Sequence, residues 1–105
     1  MDNSDVINIV QRYAVVVNAK YKFIRVYLFG SYAKGNFNED SDIDIAVVLK
    51  DYGDLSNMQL ELMRMRRKID SRIEPHPFRE RDFEPSNPIV HEIMKYGKEI
   101  KISAA

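Results

Sequence analysis

The sequence predicts a small α/β (α+β) domain built on one mixed sheet of about three to four strands with about three helices. Two observations predict it. Segments with apolar residues every three or four positions alternate along the chain with short runs rich in Ile, Val, Tyr and Phe, so helices and strands are interleaved. At 105 residues the chain reads as one domain, 1–105, long enough for a single core.

Each element has its own signal. Ser4 is placed to cap a first helix from Asp5 to Asn18, with Val6, Val10, Tyr13 and Val17 on one face. Lys22 to Phe29 reads as a strand, and Ile43 to Leu49 as a second one, apolar enough to be central. Lys50 to Asp54 is a turn. Ser56 then caps a helix running to Lys68, with Met58, Leu62, Met65 and Ile69 as its buried stripe. Ile69 to His76 reads as a third strand, confined by Pro75 and Pro77 to an edge or a strand end. Asn87 and Pro88 are the cap and first residue of a last helix, which Gly97 closes. Lys98 to Ile102 completes the chain as a short strand.

Composition narrows the class. Hydrophobic content of 45% and charged content of 30% are those of an ordinary globular protein. No apolar run approaches the ~20 residues that span a bilayer. The polar, acidic start, Met1-Asp-Asn-Ser-Asp5, argues against a secretory signal. Cysteine is absent, which rules out disulfides and fits the cytoplasm. Sixteen basic and sixteen acidic residues cancel, which weighs against nucleic acid as a direct ligand.

The chemistry is concentrated between Val26 and Ile45. An apolar run ends at Gly30-Ser31, a polar loop of ten residues follows, and a second strand opens with Asp42-Ile43-Asp44. Side chains two apart on a strand share a face, so Asp42 and Asp44 converge on one side. Two like charges on one face are costly without a cation. Paired carboxylates beside a glycine turn that admits a phosphate point to metal-assisted phosphoryl or nucleotidyl transfer. The blander alternative makes Gly30-Ser31 a plain helix cap and Asp42 a turn residue. Against it, Ile43, Ile45 and Val47 make the opposite face of that strand apolar.

Gly-Ser, ten residues, Asp-any-Asp resembles the signature of the minimal nucleotidyltransferases, the smallest DNA polymerase beta-like proteins, many of them antitoxins of HEPN toxins. The resemblance implies that Gly30, Ser31 and Lys34 bind nucleotide. It implies that Asp42 and Asp44 are catalytic and hold Mg²⁺, and that a third carboxylate on a neighbouring strand acts as ligand or base. Glu74 is the best match for that acid and Asp70 the runner-up. On the predicted strand Asp70, Arg72 and Glu74 share a face, so a surface ion pair of Glu74 with Arg72 or Arg79 is the competing reading. Family members often carry Arg where Lys34 stands, and Asp where Glu74 stands.

The remaining residues read as structural. Glu39 and Asp40 are solvated loop residues, and His76 is a loop histidine with no defined role. Arg64, Arg66, Arg67 and Lys68 suit the end of a helix, where the dipole favours cations. Met58, Met63 and Met65 belong to the core or a partner surface. The three acids are expected on one side of the sheet, within reach of a shared metal pair, with the helices on the other. The resemblance implies a nucleoside triphosphate, preferably ATP, as donor and a HEPN-type toxin as acceptor. A homodimer is the fallback, and Phe78, Phe83, Ile89 and Val90 are the candidate contact residues. The competing functions are an antitoxin that acts by binding alone and a small-molecule adenylyltransferase.

Overall fold

The computed structural model describes residues 3–102. In chain order the elements are α1 (Asn3–Lys20), β1 (Arg25–Phe29), α2 (Ser31–Lys34), β2 (Ile43–Leu49), α3 (Leu55–Met65) and β3 (Ile73–Arg79). A 3₁₀ turn (Glu80–Asp82), α4 (Pro88–Tyr96) and β4 (Lys98–Glu99) follow. The four strands form one mixed sheet in the order β3-β2-β1-β4. β1 runs antiparallel to both β2 and β4, and β2 runs parallel to β3. The predicted fold class is the observed one, with the one-turn α2 added inside the Gly-Ser segment.

One face of the sheet carries the main core. Val6, Val10, Tyr13 and Val17 of α1 and Leu62 of α3 pack on Val26, Leu28, Ile43, Ile45, Val47 and Ile73, all of them buried. The Tyr13 hydroxyl donates to the Leu62 carbonyl at 2.6 Å. That carbonyl lies in the last turn of α3, where the Arg66 N–H turns instead to Met63. Tyr13 therefore satisfies a helix-end acceptor that would otherwise be buried and unpaired, and it ties α1 to α3.

Several boundaries differ from expectation, each for a local reason. α1 already includes Asn3 and Ser4, so Ser4 is not its cap; what precedes Asn3 lies outside the described residues. Asp54, not Ser56, caps α3, its carboxylate accepting from the Asn57 N–H at 2.9 Å. α3 ends at Met65, and 66–69 form turns. The third strand starts at Ile73 rather than Ile69 and continues through both prolines to Arg79.

Pro75 and Pro77 are tolerated because β3 is an edge strand. They stand at alternate positions, so both missing N–H groups fall on the side away from β2. The carbonyls on that side are taken by side chains. Arg66 donates to Ile73, Gln59 to Pro75 and Tyr52 to Pro77. An edge with its donors removed and its acceptors occupied cannot template another strand.

Candidate active site

The second face of the sheet is divided. Its β1 side is covered by α4: buried Ile93 packs with Phe29 and Ala46, and Tyr27, Phe78 and Phe83 flank them. This departs from the expectation that all helices lie on the face away from the acids. Its β2–β3 side carries Asp44, Glu74 and His76. Asp44 and Glu74 are register partners across the parallel ladder, and Asp44 is also the partner of Phe29 on β1. Register partners share a face, so Glu74 stands beside Asp44 on one side of the sheet. Asp42 is exposed just ahead of β2, and continuing the pleat puts it on that side as well.

Gly30 closes this group from the β1 end. Its φ of 73° is left-handed, which only glycine adopts without strain. A Cβ there would sit 2.4 Å from Asp44 Oδ2 and 3.2 Å from Asp44 Cγ. The turn therefore needs glycine twice over, for its dihedral and for the closeness of the backbone to the carboxylate. Ser31 opens α2, whose Ala33 and Lys34 N–H groups return to the Gly30 carbonyl at 3.1 Å. Buried Tyr32 anchors the following loop: it stacks on Phe37 with centroids 4.5 Å apart, and its hydroxyl donates to the Asn38 carbonyl. The loop brings the chain back into β2 at the Asp pair. Glu39 and Asp40 on it are exposed.

The two candidates for a third acid are in different circumstances. Asp70 precedes β3 and is clamped by Arg72. Its Oδ1 accepts from the Arg72 N–H at 2.9 Å and from Nε at 3.0 Å, and its Oδ2 accepts from Nη2 at 2.7 Å. That guanidinium holds the Asp70 carboxyl below its ordinary value. The shared face expected for Asp70, Arg72 and Glu74 is not formed, because the first two lie in the turn. The rival ion pairs for Glu74 are also spoken for: Arg72 holds Asp70, and Arg79 binds Asp51 and the Tyr52 and Gly53 carbonyls. Among the described residues no hydrogen bond or ion pair ties up the Glu74 carboxylate.

Lys34 Nζ pairs with Glu92 Oε1 at 2.6 Å and lies over the Tyr96 ring, joining α2 to α4. Glu92 raises the Lys34 pKa from its ordinary value. His76, read from the sequence as a loop residue without a role, is on β3, and its Nε2 is 3.2 Å from Asp44 Oδ1. The signal that could have found it was the alternation Glu74, His76 along a strand, hidden by the prolines. Val90, a candidate contact residue, is fully buried, and Phe83 stacks on Tyr27; Ile89 is exposed.

Among the described residues no three of His, Cys, Asp and Glu lie close enough together to hold a metal ion as they stand, so the expected cluster around a shared metal pair is not formed. The donor chemistry nevertheless fits a hard divalent cation: carboxylate oxygens, and no side chain on Gly30 to fill the space against Asp44 Oδ2. Closing Asp42 and Glu74 around Asp44 requires positive charge to offset their repulsion.

Known proteins resemble this chain in sequence and in fold. Residues 7–104 match the family described as Polymerase beta, Nucleotidyltransferase. A Methanocaldococcus jannaschii protein named "Putative protein adenylyltransferase" is 32% identical over 84 residues, spanning 77% of this chain and 82% of that protein. A chain in a crystal structure of a toxin-antitoxin with AMP-PNP superposes with a TM-score of 0.68 at 25% identity, covering 93% of this chain and 74% of that one. Another belongs to a complex of tri-AMPylated Shewanella oneidensis HEPN toxin with MNT antitoxin. It gives a TM-score of 0.62 at 22% identity, over 96% of this chain and 73% of that one, and speaks for the fold alone. Fold and sequence together define a nucleotidyltransferase. The chain belongs to the polymerase beta-type nucleotidyltransferase family.

Proposed function

We propose that the chain moves AMP from ATP to a tyrosine hydroxyl of a cognate HEPN-type toxin, silencing it as an antitoxin. The observation that carries the reading is the left-handed Gly30 turn closing on Asp44, with Glu74 beside Asp44 and, among the described residues, in no hydrogen bond or ion pair. Gly30 and Ser31 receive the triphosphate, and Lys34 exchanges Glu92 for a phosphate oxygen. Asp42, Asp44 and Glu74 are the residues that would hold Mg²⁺. When bound, the ion offsets charge on the phosphates and on the leaving pyrophosphate. Glu74 takes the proton from the acceptor hydroxyl as that oxygen bonds to the α-phosphorus. The bond to the β-phosphate bridging oxygen breaks, and pyrophosphate leaves. The open acid side of the sheet supports an acceptor delivered by another protein. A purely binding antitoxin has no need of an unpaired Glu74, so the catalytic reading is favoured.

The test is transfer of label. The protein is incubated with Mg²⁺, the product of the neighbouring gene as candidate HEPN-type partner, and ATP labelled on either the α- or the γ-phosphate. Label from α- but not γ-labelled ATP should appear on a tyrosine of the partner. Label from the γ-phosphate, or none on any protein, overturns the reading. Among the described residues no helix is long and apolar enough to cross a membrane.

A further inference from the structure

His76 is a titratable side chain on the acid side of the sheet that the reading above does not use, and its setting is unusually constrained. It stands on β3 opposite Ala46, which is fully buried and small enough to let an imidazole lie over it. Asp44 is two residues before Ala46 on β2, so His76 reaches it diagonally across the ladder. Nε2 meets Oδ1 at 3.2 Å. The ring packs against Phe29 with centroids 5.2 Å apart and planes at 63°, an edge-on contact that fixes its tilt. Phe29 is itself the register partner of Asp44 on β1.

The backbone beneath is equally restricted. Glu74 precedes Pro75 and His76 precedes Pro77. A residue before proline is held to extended dihedrals, and proline fixes its own φ. Glu-Pro-His-Pro thus presents Glu74 and His76 from the same face of a stiff strand. The other groups facing the imidazole are Phe29 and Asp44; Glu74 is its neighbour along the strand.

We infer that His76 is a positioning residue for Asp44: its Nε2–H donates to Oδ1 and leaves Oδ2 turned toward the Gly30 turn, where cation and phosphate are received. The two oxygens of Asp44 are then assigned separately, one to imidazole and one to the site. Hydrogen bonds that orient a ligating carboxylate are worth ~10–100-fold in metal affinity or activity. The inference rests on the proposed function for the identity of the site, but it concerns the geometry of one carboxylate.

Two variants separate the donor from the ring. His76→Phe keeps the contact with Phe29 and removes the donor. His76→Gln keeps a donor near the Nε2 position and removes the ring. Mn²⁺ affinity is measured by calorimetry in the presence of a non-hydrolysable ATP analogue, alongside thermal unfolding and the KM and kcat of AMP transfer. His76→Phe should lose ~10–100-fold in Mn²⁺ affinity with an unfolding midpoint close to that of the native chain, and His76→Gln should recover most of the affinity. Unchanged Mn²⁺ affinity in His76→Phe overturns the inference, as does an equal loss in both variants, which would mark a packing role. If the native chain binds Mn²⁺ and the analogue but transfers nothing, the proposed function fails while the inference stands on the affinities. If the native chain binds neither, both fall.

Discussion

The two faces of the sheet are built from the same strands and have opposite economies of charge. On one, Val26, Leu28, Ile43, Ile45, Val47 and Ile73 are covered by α1 and α3, and no charged side chain is buried among the described residues. On the other, the next residues along the strands are Tyr27, Phe29, Asp44, Ala46, Val48 and Glu74, with His76 two positions beyond Glu74. α4 covers the aromatic side of that face and leaves the acidic side open. Stability and chemistry are thereby separated by a single step along each strand. Substitutions on the first face should unfold the protein, and those on the open acidic side of the second should silence it without unfolding it.

The largest effects test that separation directly. Asp44→Asn should lower AMP transfer by about a thousand-fold, the equivalent of several kcal/mol of lost transition-state stabilisation. Its stability in the absence of metal should hold or rise, because one of several neighbouring negative charges is removed. Leu62→Ala, on the covered face, should instead cost about 2–5 kcal/mol, since the side chain is fully buried. The activity it retains should match the fraction still folded. Chemical denaturation and initial rates on both variants check the pair. An Asp44→Asn variant that unfolds, or one that transfers AMP at the native rate, would erase the distinction.

The two left-handed glycines sharpen it further. Gly30 and Gly35 bracket α2 with φ of 73° and 84°. An alanine at Gly35, in the αL region, costs about 1–2 kcal/mol, and one at Gly30 costs more, because its ψ of −151° puts it in a region that side chains scarcely enter. They differ in what the new methyl meets: Asp44 Oδ2 at 2.4 Å for Gly30, and nothing within 4 Å for Gly35. Gly35→Ala should lose stability and keep activity per folded molecule. Gly30→Ala should lose more stability and, per folded molecule, most of its activity as well, because the carboxylate must move. Comparable activity per folded molecule in the two variants would show that the Asp44 position does not matter.

These contrasts also show what was legible in the sequence and what was not. The strands, the α4 start at Asn87-Pro88 and the Gly-Ser to Asp-Ile-Asp segment could be read because each rests on local chemistry: period-two apolar runs, a cap, a turn glycine. The start of β3 could not. Whether 69–72 joins the ladder depends on where β2 begins, and Arg72 is committed to Asp70 rather than to a strand face. His76 was obscured for the same reason, since proline in a strand is acceptable only once the strand is known to be an edge. The side on which α4 docks, and hence the burial of Val90, depends on a tertiary choice that no periodicity within α4 encodes. The choice of Asp54 over Ser56 as cap is closer to a local tie: both residue types cap well, and an Asp-Leu-Ser run offers either.

The smallest expected effect separates the two acids that the sequence could not separate. Asp70 is held by three hydrogen bonds from Arg72, and its pKa is lowered, first by that side-chain contact. A carboxylate whose folded pKa lies below its unfolded value of about 3.8 adds stability at neutral pH. The contribution is present above that value and is lost as pH falls through the lower, folded pKa. Both side chains keep some contact with water, so the pair contributes no more than about 1 kcal/mol. Asp70→Asn should therefore be slightly less stable than the native chain at pH 7. The gap should close as the pH is taken below 3.8, and AMP transfer at pH 7 should be untouched. Glu74→Gln should show the reverse: little change in stability, because no partner is stranded, and transfer reduced as strongly as in Asp44→Asn. Denaturant melts from pH 7 down to pH 2.5, paired with transfer rates at pH 7, decide between them. A loss of transfer in Asp70→Asn with native activity in Glu74→Gln would move the third acid from the strand into the turn before it.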